Sequence, residues 1–215
     1  FWMVGRELLP GDPHLPHWGP NVWPAERPGF REVTLELYDA LGALADTLLE
    51  ACALYLGEEG ARLCEMAEWG DTTLRVIHYP PLPPEIPAGS IRSGAHEDIN
   101  LITLLCASTA SGLQLQKRDG GWLDVRVGPE MVIVDSGDMV QNLTNGVFRA
   151  VTHRVVNPRD ASQSRFSLPY FIHPRSNADL TPLASCVAMC DGEVHYPSLT
   201  AAESLARRLR EIGLA

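Results

Sequence analysis

The segment SGAHEDIN, residues 93–100, places a histidine and an aspartate two positions apart, at His96 and Asp98. Imidazole nitrogens and carboxylate oxygens both bind metals, and alternate residues of an extended chain point to the same side. His153, in the segment AVTHRVV, is a third donor of suitable type. Two imidazoles and one carboxylate form the ligand set of non-haem Fe(II) oxygenases. The alternatives are a zinc hydrolase and, for His153 alone, a buried histidine satisfied by hydrogen bonds.

A second pair of polar residues, Arg165 and Ser167, lies two positions apart in the segment SRFSLPYF. The arginine fork matches a carboxylate in bidentate geometry, and the serine hydroxyl adds a donor. Because the surrounding segment is apolar, an inward arginine would require an anion; a surface strand pair is the alternative. Tyr79 ends another extended segment, ahead of two prolines. Its phenol is a candidate for the same carboxylate, and an ordinary core tyrosine is the alternative.

Seven short segments after Gly70 must position these residues. They are rich in β-branched or aromatic residues and are bounded by Gly, Pro, Asn or Asp, which predicts strands. Because no helical pattern separates them, they favour an antiparallel sandwich or jelly roll over a parallel sheet. The expected fold class is mainly β with flanking helices. The predicted strands cover residues 73–79, 99–106, 112–116, 122–127, 131–135, 147–156 and 165–172.

Helices are predicted on both sides of the strand region. Apolar residues recur at steps of three and four up to Tyr55 and predict a helix of about six turns that Gly57 ends. A shorter helix is expected over about 58–68. Another is predicted over about 200–212, with Thr200 as N-cap and Glu203 in the capping-box position. Residues 1–30 contain six prolines and are expected to be extended and rich in turns.

The composition indicates a soluble globular protein. The chain has 215 residues, with 27 Asp and Glu against 17 Lys and Arg, and a net charge of -10. This charge disfavours nucleic acid and anionic membranes as partners. No apolar run approaches the roughly 20 residues of a membrane span, and no secretion signal is evident. Five scattered cysteines favour reduced thiols in a cytoplasmic protein. A small-molecule substrate is expected, and the oligomeric state is left undetermined.

The ordered segments LRVIHYPP, GAHEDINLITLL, VIVDSGDMVQNLTNG, THRVVNP and RFSLPYF resemble the isopenicillin N synthase-like family of Fe(II)/2-oxoglutarate dioxygenases. The resemblance is dense over residues 70–175. It implies a double-stranded β-helix (jelly roll) core over 71–175. Residues 1–70 would supply an extended segment and supporting helices, and 176–215 a C-terminal extension with a helix. The chain begins at Phe1, and the family's N-terminal region is expected to be largely missing.

The resemblance also implies roles for individual residues. The positions that match the family's iron ligands are His96, Asp98 and His153. Those that match the contacts to the distal carboxylate of 2-oxoglutarate are Arg165, Ser167 and Tyr79. The sequence departs from the plant pattern at Ile77, where many relatives have an Asn, and this removes one polar contact near the cosubstrate.

The implied activity is oxidation, most often hydroxylation, of a small organic metabolite with O2, Fe(II) and 2-oxoglutarate, releasing succinate and CO2. By strand parity, Phe171 and His173 share a face with Ser167, and Arg75 shares one with Tyr79, so Arg75, Phe171 and His173 are candidates for the substrate wall. Arg75 would suit an acidic or phenolic substrate. An Fe(II) oxidase of the same family that does not use 2-oxoglutarate is the main alternative, and a non-catalytic jelly-roll binding protein is a remote one.

Overall fold

The computed structural model describes residues 1–13, 18–106, 108–126 and 128–214. Within these ranges the chain forms ten strands and five helices. The strands are β1 (Trp2–Val4), β2 (Thr73–Tyr79), β3 (Ser93–His96), β4 (Ile102–Cys106), β5 (Leu113–Gln116), β6 (Trp122–Asp124), β7 (Val132–Ser136), β8 (His153–Val155), β9 (Arg165–Ser167) and β10 (Pro169–Ile172). The helices are α1 (Phe30–Tyr55), α2 (Ala61–Ala67), α3 (Asp138–Leu143), α4 (Ala184–Met189) and α5 (Ala201–Glu211).

The strands form two antiparallel sheets. The larger sheet has the order β1-β2-β10-β4-β7, with β9 also paired to β2, and the smaller has the order β3-β8-β5-β6. Strands that are distant in sequence are neighbours in both sheets, as in a jelly roll, and the mainly β double-stranded β-helix fold is confirmed. Residues from both sheets line one internal cavity, so the site lies between them.

Helix α1 supports the larger sheet from outside the sandwich. Its buried residues recur at steps of three and four, as one face of a helix does: they are Thr34, Tyr38, Leu41, Ala45, Leu49 and Ala53. The ring of Tyr38 packs edge-on against that of Tyr170 in β10, with centroids 5.0 Å apart. This packing makes α1 and the outer face of the larger sheet one hydrophobic core. No helix of the described ranges is long and apolar enough to cross a membrane.

Several predicted elements agree closely with the structure. Strand β2 spans the predicted residues 73–79, and α1 ends just before Gly57, which adopts a φ of 76°. The predicted segment 165–172 forms two strands that break at Leu168, β9 and β10, and both pair with β2. Helix α5 begins after Thr200, and the predicted capping box with Glu203 is present.

The predicted strand over 147–156 is wrong for most of its length, because only His153–Val155 is a strand. Asn145 and Gly146 have positive φ angles of 52° and 84°, which turn the chain. The amide of Phe148 then donates to the Thr144 hydroxyl (3.0 Å) instead of to a neighbouring strand. Main-chain bonds to other strands begin only at Val151, whose amide donates to the carbonyl oxygen of Ser136 (3.2 Å).

Other predicted boundaries also change. The predicted strand 99–106 begins only at Ile102, because the preceding carbonyls accept hydrogen bonds from the first amides of α3. The predicted strand 122–127 ends at Asp124, and its residue 127 lies outside the described residues. Residues 14–17 of the proline-rich segment also lie outside the described residues. Strands β1 and β3 and helices α3 and α4 were not predicted; each has six residues or fewer, too few for a clear periodicity.

Candidate active site

The structure brings together the three residues with metal-binding side chains. His96 is the last residue of β3, and His153 is the first residue of β8. They are directly opposed in the antiparallel register, with ring centroids 4.3 Å apart. Asp98 follows β3, outside the strand. One donor atom from each residue lies within 4.8 Å of the other two, a spacing that suits a single metal ion.

Both imidazoles are held in the tautomer that leaves one nitrogen free for a metal. Nδ1 of His96 lies 2.7 Å from the carbonyl oxygen of Gly94, and Nδ1 of His153 lies 3.0 Å from that of Val151. Since a carbonyl oxygen only accepts hydrogen bonds, each Nδ1 must carry the proton and donate it. In the neutral ring each Nε2 then presents a lone pair, as metal-bound histidines do. The two Nε2 atoms lie 3.7 and 3.8 Å from Oδ1 of Asp98.

The carboxylate of Asp98 is oriented by a chain of hydrogen bonds. Its Oδ2 accepts a bond from the Thr103 hydroxyl (2.6 Å), which in turn accepts one from the Asn100 side-chain amide (2.7 Å). Its backbone carbonyl accepts a bond from the amide of Asp138 at the start of α3 (2.9 Å). Oδ2 and the main chain are therefore fixed, and Oδ1 is left to face the histidines.

A further carboxylate, that of Asp135 in β7, lies beside this cluster. Its Oδ2 is 3.8 Å from Nδ1 of His153, and the residue is directly opposite Thr103 in the register of β4 and β7. Burial raises the pKa of Asp135 to about 6, opposed by His153 and aided by the negative charge of Asp98. Asp98 and Asp135 thus place two carboxyl groups beside the two imidazoles.

Arg165 lies in the same cavity and is only 1% exposed. Its Nε donates to the carbonyl of Ala110 (3.2 Å) and its Nη2 to the Ser108 hydroxyl (2.8 Å). Its Nη1 is buried without a hydrogen-bond partner among the described residues. Burial lowers the pKa of Arg165, yet a guanidinium stays charged, so this site requires an anion.

The other two residues of the predicted carboxylate site lie beside this arginine. Strand β9 pairs with β2 so that Ser167 opposes Ile77 and Arg165 opposes Tyr79. The guanidinium carbon of Arg165 lies 5.3 Å from the centre of the Tyr79 ring. Ser167 is 5% exposed. The unpaired guanidinium nitrogen, a buried hydroxyl and a phenol thus lie close together on two adjacent strands.

One cavity of about 110 Å³ joins the two groups of polar residues. It is lined by the three metal-ligand candidates and also by Tyr79, Arg165 and Ser167. Two larger surface depressions, of about 610 and 570 Å³, contain none of the predicted site residues. His96 has a side-chain exposure of 44%, against 9% for Asp98 and 12% for His153, so the cluster opens to solvent on the His96 side.

Two of the three candidates for the substrate wall line the cavity, Arg75 and Phe171. The Arg75 guanidinium lies between two rings, 4.9 Å from the centre of Phe171 and 5.0 Å from that of Phe1. Its Nε is buried without a hydrogen-bond partner among the described residues. His173 is not among the lining residues. Its direction was predicted from the alternation of side chains along a strand, but β10 ends at Ile172, so the alternation does not extend to His173.

The polar residues that support the cluster, Thr103, Asn100 and Asp135, were not predicted from the sequence. A signal was present for Thr103, which interrupts the apolar run INLITLLC with a hydroxyl. Asp135 ends the run VIVD in a similar way. A polar residue inside a buried strand needs a partner, and this would have marked both residues as candidates for contact with the site.

A jelly roll with two histidines and an aspartate at one end of a cavity defines the class of non-haem iron oxygenases. The family model of the 2OG-Fe(II) oxygenase superfamily matches residues 70–174. A 2OG-Fe(II) oxygenase family protein from Caulobacter crescentus has a solved structure with a TM-score of 0.86 and 41% identity; the match covers 98% of this chain and 68% of that one. This chain belongs to the 2OG-Fe(II) oxygenase superfamily.

Two further relatives bear on cofactors and length. A full-length Neurospora crassa protein, solved in complex with alpha-KG (2-oxoglutarate), has a TM-score of 0.83 and 29% identity, with 97% of this chain and 64% of that chain covered. A 2-oxoglutarate-Fe(II) type oxidoreductase from Aspergillus fumigatus is 34% identical over 199 residues, which are 89% of this chain. The chain spans only 57% of the length of that relative.

Proposed function

We propose that this protein is an Fe(II)/2-oxoglutarate-dependent oxygenase that hydroxylates a small organic molecule. The observation that carries the proposal is the single cavity shared by a His/Asp/His cluster and a buried arginine whose Nη1 has no hydrogen-bond partner among the described residues. The first group suits a divalent metal, and the second suits the carboxylate of a cosubstrate. In the proposed reaction, a substrate C–H bond becomes C–OH while 2-oxoglutarate and O2 yield succinate and CO2.

In this proposal, His96, Asp98 and His153 hold Fe(II) through the two Nε2 atoms and Oδ1 of the carboxylate. The donor set fits the metal, because it supplies two neutral nitrogens and one negative oxygen and leaves coordination positions open. Bound iron would supply the O2 activation that is coupled to decarboxylation of the 2-oxo acid. The carbonyls of Gly94 and Val151 hold the imidazole tautomers, and Thr103 holds the carboxylate.

We assign Arg165, Ser167 and Tyr79 to the distal carboxylate of 2-oxoglutarate. The free Nη1 of Arg165 would donate to one carboxylate oxygen, and the Ser167 hydroxyl and the Tyr79 phenol would supply further donors. These three residues line the same cavity as the metal cluster, which suits a cosubstrate with an anionic group at each end. Ile77 lines the same cavity and presents no polar atom.

The substrate side of the cavity is assigned to Arg75 and Phe171. A cation stacked between two aromatic rings, with one nitrogen lacking a partner among the described residues, favours an anionic or phenolic substrate. Turnover of carboxylated and of uncharged aromatic metabolites by the wild type and by Arg75→Met tests this assignment. The variant is expected to lose activity on the carboxylated compounds alone. An equal loss on both groups would contradict it.

The domain arrangement is part of the same proposal. Residues 71–175 would form the catalytic core, close to the 70–174 matched by the family model. Residues 1–70 would support the core through α1 and α2, and residues 176–215 through α4 and α5. We also propose a cytoplasmic location, on the grounds of the five free cysteines.

The experiment that tests the proposed function is an anaerobic titration followed by exposure to O2. Fe(II) and then 2-oxoglutarate are added under nitrogen, and the visible charge-transfer absorption of the chelate is recorded. Succinate is then measured after O2 is admitted. Formation of the band, and of succinate, is the expected result, with both lost in His96→Ala. Iron binding without the band or succinate would favour an oxidase that does not use 2-oxoglutarate.

A further inference from the structure

Glu97 lies between two of the metal-ligand candidates, but its side chain takes part in a different set of contacts. Its Oε2 lies 2.9 Å from Nη2 of Arg208, which belongs to α5. Its Oε1 accepts a hydrogen bond from the hydroxyl of Thr152 (3.2 Å), the residue that precedes His153. The carboxylate of Glu97 therefore links the segment of His96 and Asp98 to that of His153, and links both to the C-terminal helix.

Arg208 makes a second contact that leads to the same loop. Its Nε donates to Oδ2 of Asp138 (2.5 Å), the first residue of α3. The backbone amide of Asp138 donates to the carbonyl oxygen of Asp98 (2.9 Å). The guanidinium group of Arg208 thus binds the carboxylate of Glu97, which precedes Asp98 in the sequence. It also binds the carboxylate of Asp138, whose backbone amide is hydrogen-bonded to Asp98.

These contacts are partly shielded from solvent, with side-chain exposures of 30% for Arg208, 29% for Glu97 and 6% for Asp138. Shielded charge pairs are screened less than exposed ones, and an arginine whose nitrogens bind separate carboxylates, here those of Glu97, Asp138 and Glu211, also fixes their directions. Without Arg208, the carboxylates of Glu97 and Asp138 would lose the cation that binds both of them. Their repulsion would displace Glu97 and, with it, the contact to Thr152.

We propose that Arg208 is a positioning residue for the metal centre: through Glu97 and Asp138 it sets the spacing of His96 and Asp98 relative to His153. The proposal rests on the proposed function, because it takes these three residues as the iron ligands. It gives the C-terminal helix an indirect part in metal binding, although no residue of that helix lines the cavity.

The test is Fe(II) affinity, measured under nitrogen by competition with a fluorescent chelator, without 2-oxoglutarate or O2. Arg208→Ala is expected to weaken Fe(II) binding about 10-fold, the low end of the range for groups that orient metal ligands. Arg210→Ala, two residues further along the same helix and exposed, is the matched control and should bind as the wild type does. The melting temperature of each metal-free protein is recorded in parallel.

A cycle with Glu97→Gln separates positioning from general stability. If Arg208 acts through Glu97, the double variant should bind Fe(II) no more weakly than Arg208→Ala alone, although each single variant is impaired. A loss of stability alone would lower the melting temperature without this non-additivity. If Arg208→Ala does not fold, Arg208→Lys, which keeps the charge but loses the fork, and Glu97→Gln are compared with the wild type in its place.

Fe(II) affinities of these variants within about twofold of the wild type would overturn the positioning role, since orienting groups contribute at least about 10-fold. Independent, additive losses from Arg208→Ala and Glu97→Gln would overturn it as well. Failure of the wild type and of Arg210→Ala to bind Fe(II) would be a different result, because it would reject the proposed function itself.

Discussion

Replacement of Arg165 by methionine is expected to remove most of the stabilisation by 2-oxoglutarate while leaving the ligand-free protein folded. The side chain is 1% exposed, and its Nη1 has no partner among the described residues. A carboxylate that binds there would gain one or two charge-assisted hydrogen bonds, about 2–4 kcal/mol in all. Their loss corresponds to an affinity about 30- to 1000-fold weaker.

The consequence for thermal stability follows from mass action. At 2-oxoglutarate concentrations of about 100 times Kd, the wild type should gain about 2.7 kcal/mol, a rise of about 5–11 °C in Tm for a chain of this size. At the same concentration, Arg165→Met should retain less than about 1 kcal/mol. In the ligand-free variant, loss of the hydrogen bonds to Ala110 and Ser108 is destabilising, and removal of a buried charge is stabilising. The free energy of unfolding should therefore change by about 1 kcal/mol or less.

The assay is thermal unfolding under nitrogen with Fe(II), at increasing 2-oxoglutarate concentrations. Arg154→Met is the matched control, because this arginine lies in β8, stacks 3.8 Å from the centre of the Trp122 ring and does not line the cavity. It should keep the full ligand-dependent shift. A shift in Arg165→Met equal to that of the wild type would refute the assignment of this arginine to the cosubstrate.

Three further outcomes are expected. Thr103→Val should weaken Fe(II) binding about 10-fold in a chelator competition, because it removes the hydroxyl that orients Asp98. Burial lowers the pKa of His173 below 6.5, so its protonation opposes folding; urea unfolding should show stability falling as pH drops below about 6.5, and less so in His173→Phe. Gly137→Ala should cost about 1–3 kcal/mol in urea unfolding, because its new Cβ would clash with the side-chain oxygen and main chain of Asn100.

Each of these outcomes has a control or a contrary result. Ser162→Ala, a hydroxyl removal at an exposed loop residue, should leave Fe(II) binding unchanged. The same pH dependence in wild type and His173→Phe would exclude this imidazole as its source. Gly128→Ala, where a Cβ would meet nothing within 4 Å, should be neutral, and equal costs at both glycines would contradict the steric argument.

Elements whose signals are local were predictable from the sequence. Strand β2 was predicted to the residue, and the capping box of Thr200 and Glu203 was confirmed. Both signals lie within one segment: a short run rich in β-branched and aromatic residues between boundary residues, and a four-residue motif. The convergence of His96, Asp98 and His153 was also foreseeable, since their types and their place beside apolar segments suit one metal. Their assignment as ligands stays a prediction.

The remaining features depend on contacts between distant segments or on the main chain. Glu97 and Arg208 are 111 residues apart, and no property of either segment indicates their pairing. The carbonyls that fix the imidazole tautomers belong to the main chain of Gly94 and Val151, and neither residue type indicates this role. The sequence states which side chains are present, but every residue has a main-chain carbonyl. A site that relies on main-chain acceptors and on the register of distant strands can therefore be predicted only in part from residue types.

The two arginines of the cavity argue for two separate anionic ligands. Each has a buried nitrogen without a partner among the described residues, Nη1 in Arg165 and Nε in Arg75. Arg165 lies opposite Tyr79 in the register of β2 and β9, and Tyr79 is four residues from Arg75 along β2. At about 3.3 Å per residue, the two positions are roughly 13 Å apart along the strand. These are main-chain positions, and both side chains reach one cavity. Under the proposed function, the distal carboxylate of the cosubstrate is assigned to Arg165, and the charge of Arg75 is assigned to the molecule that is oxidised.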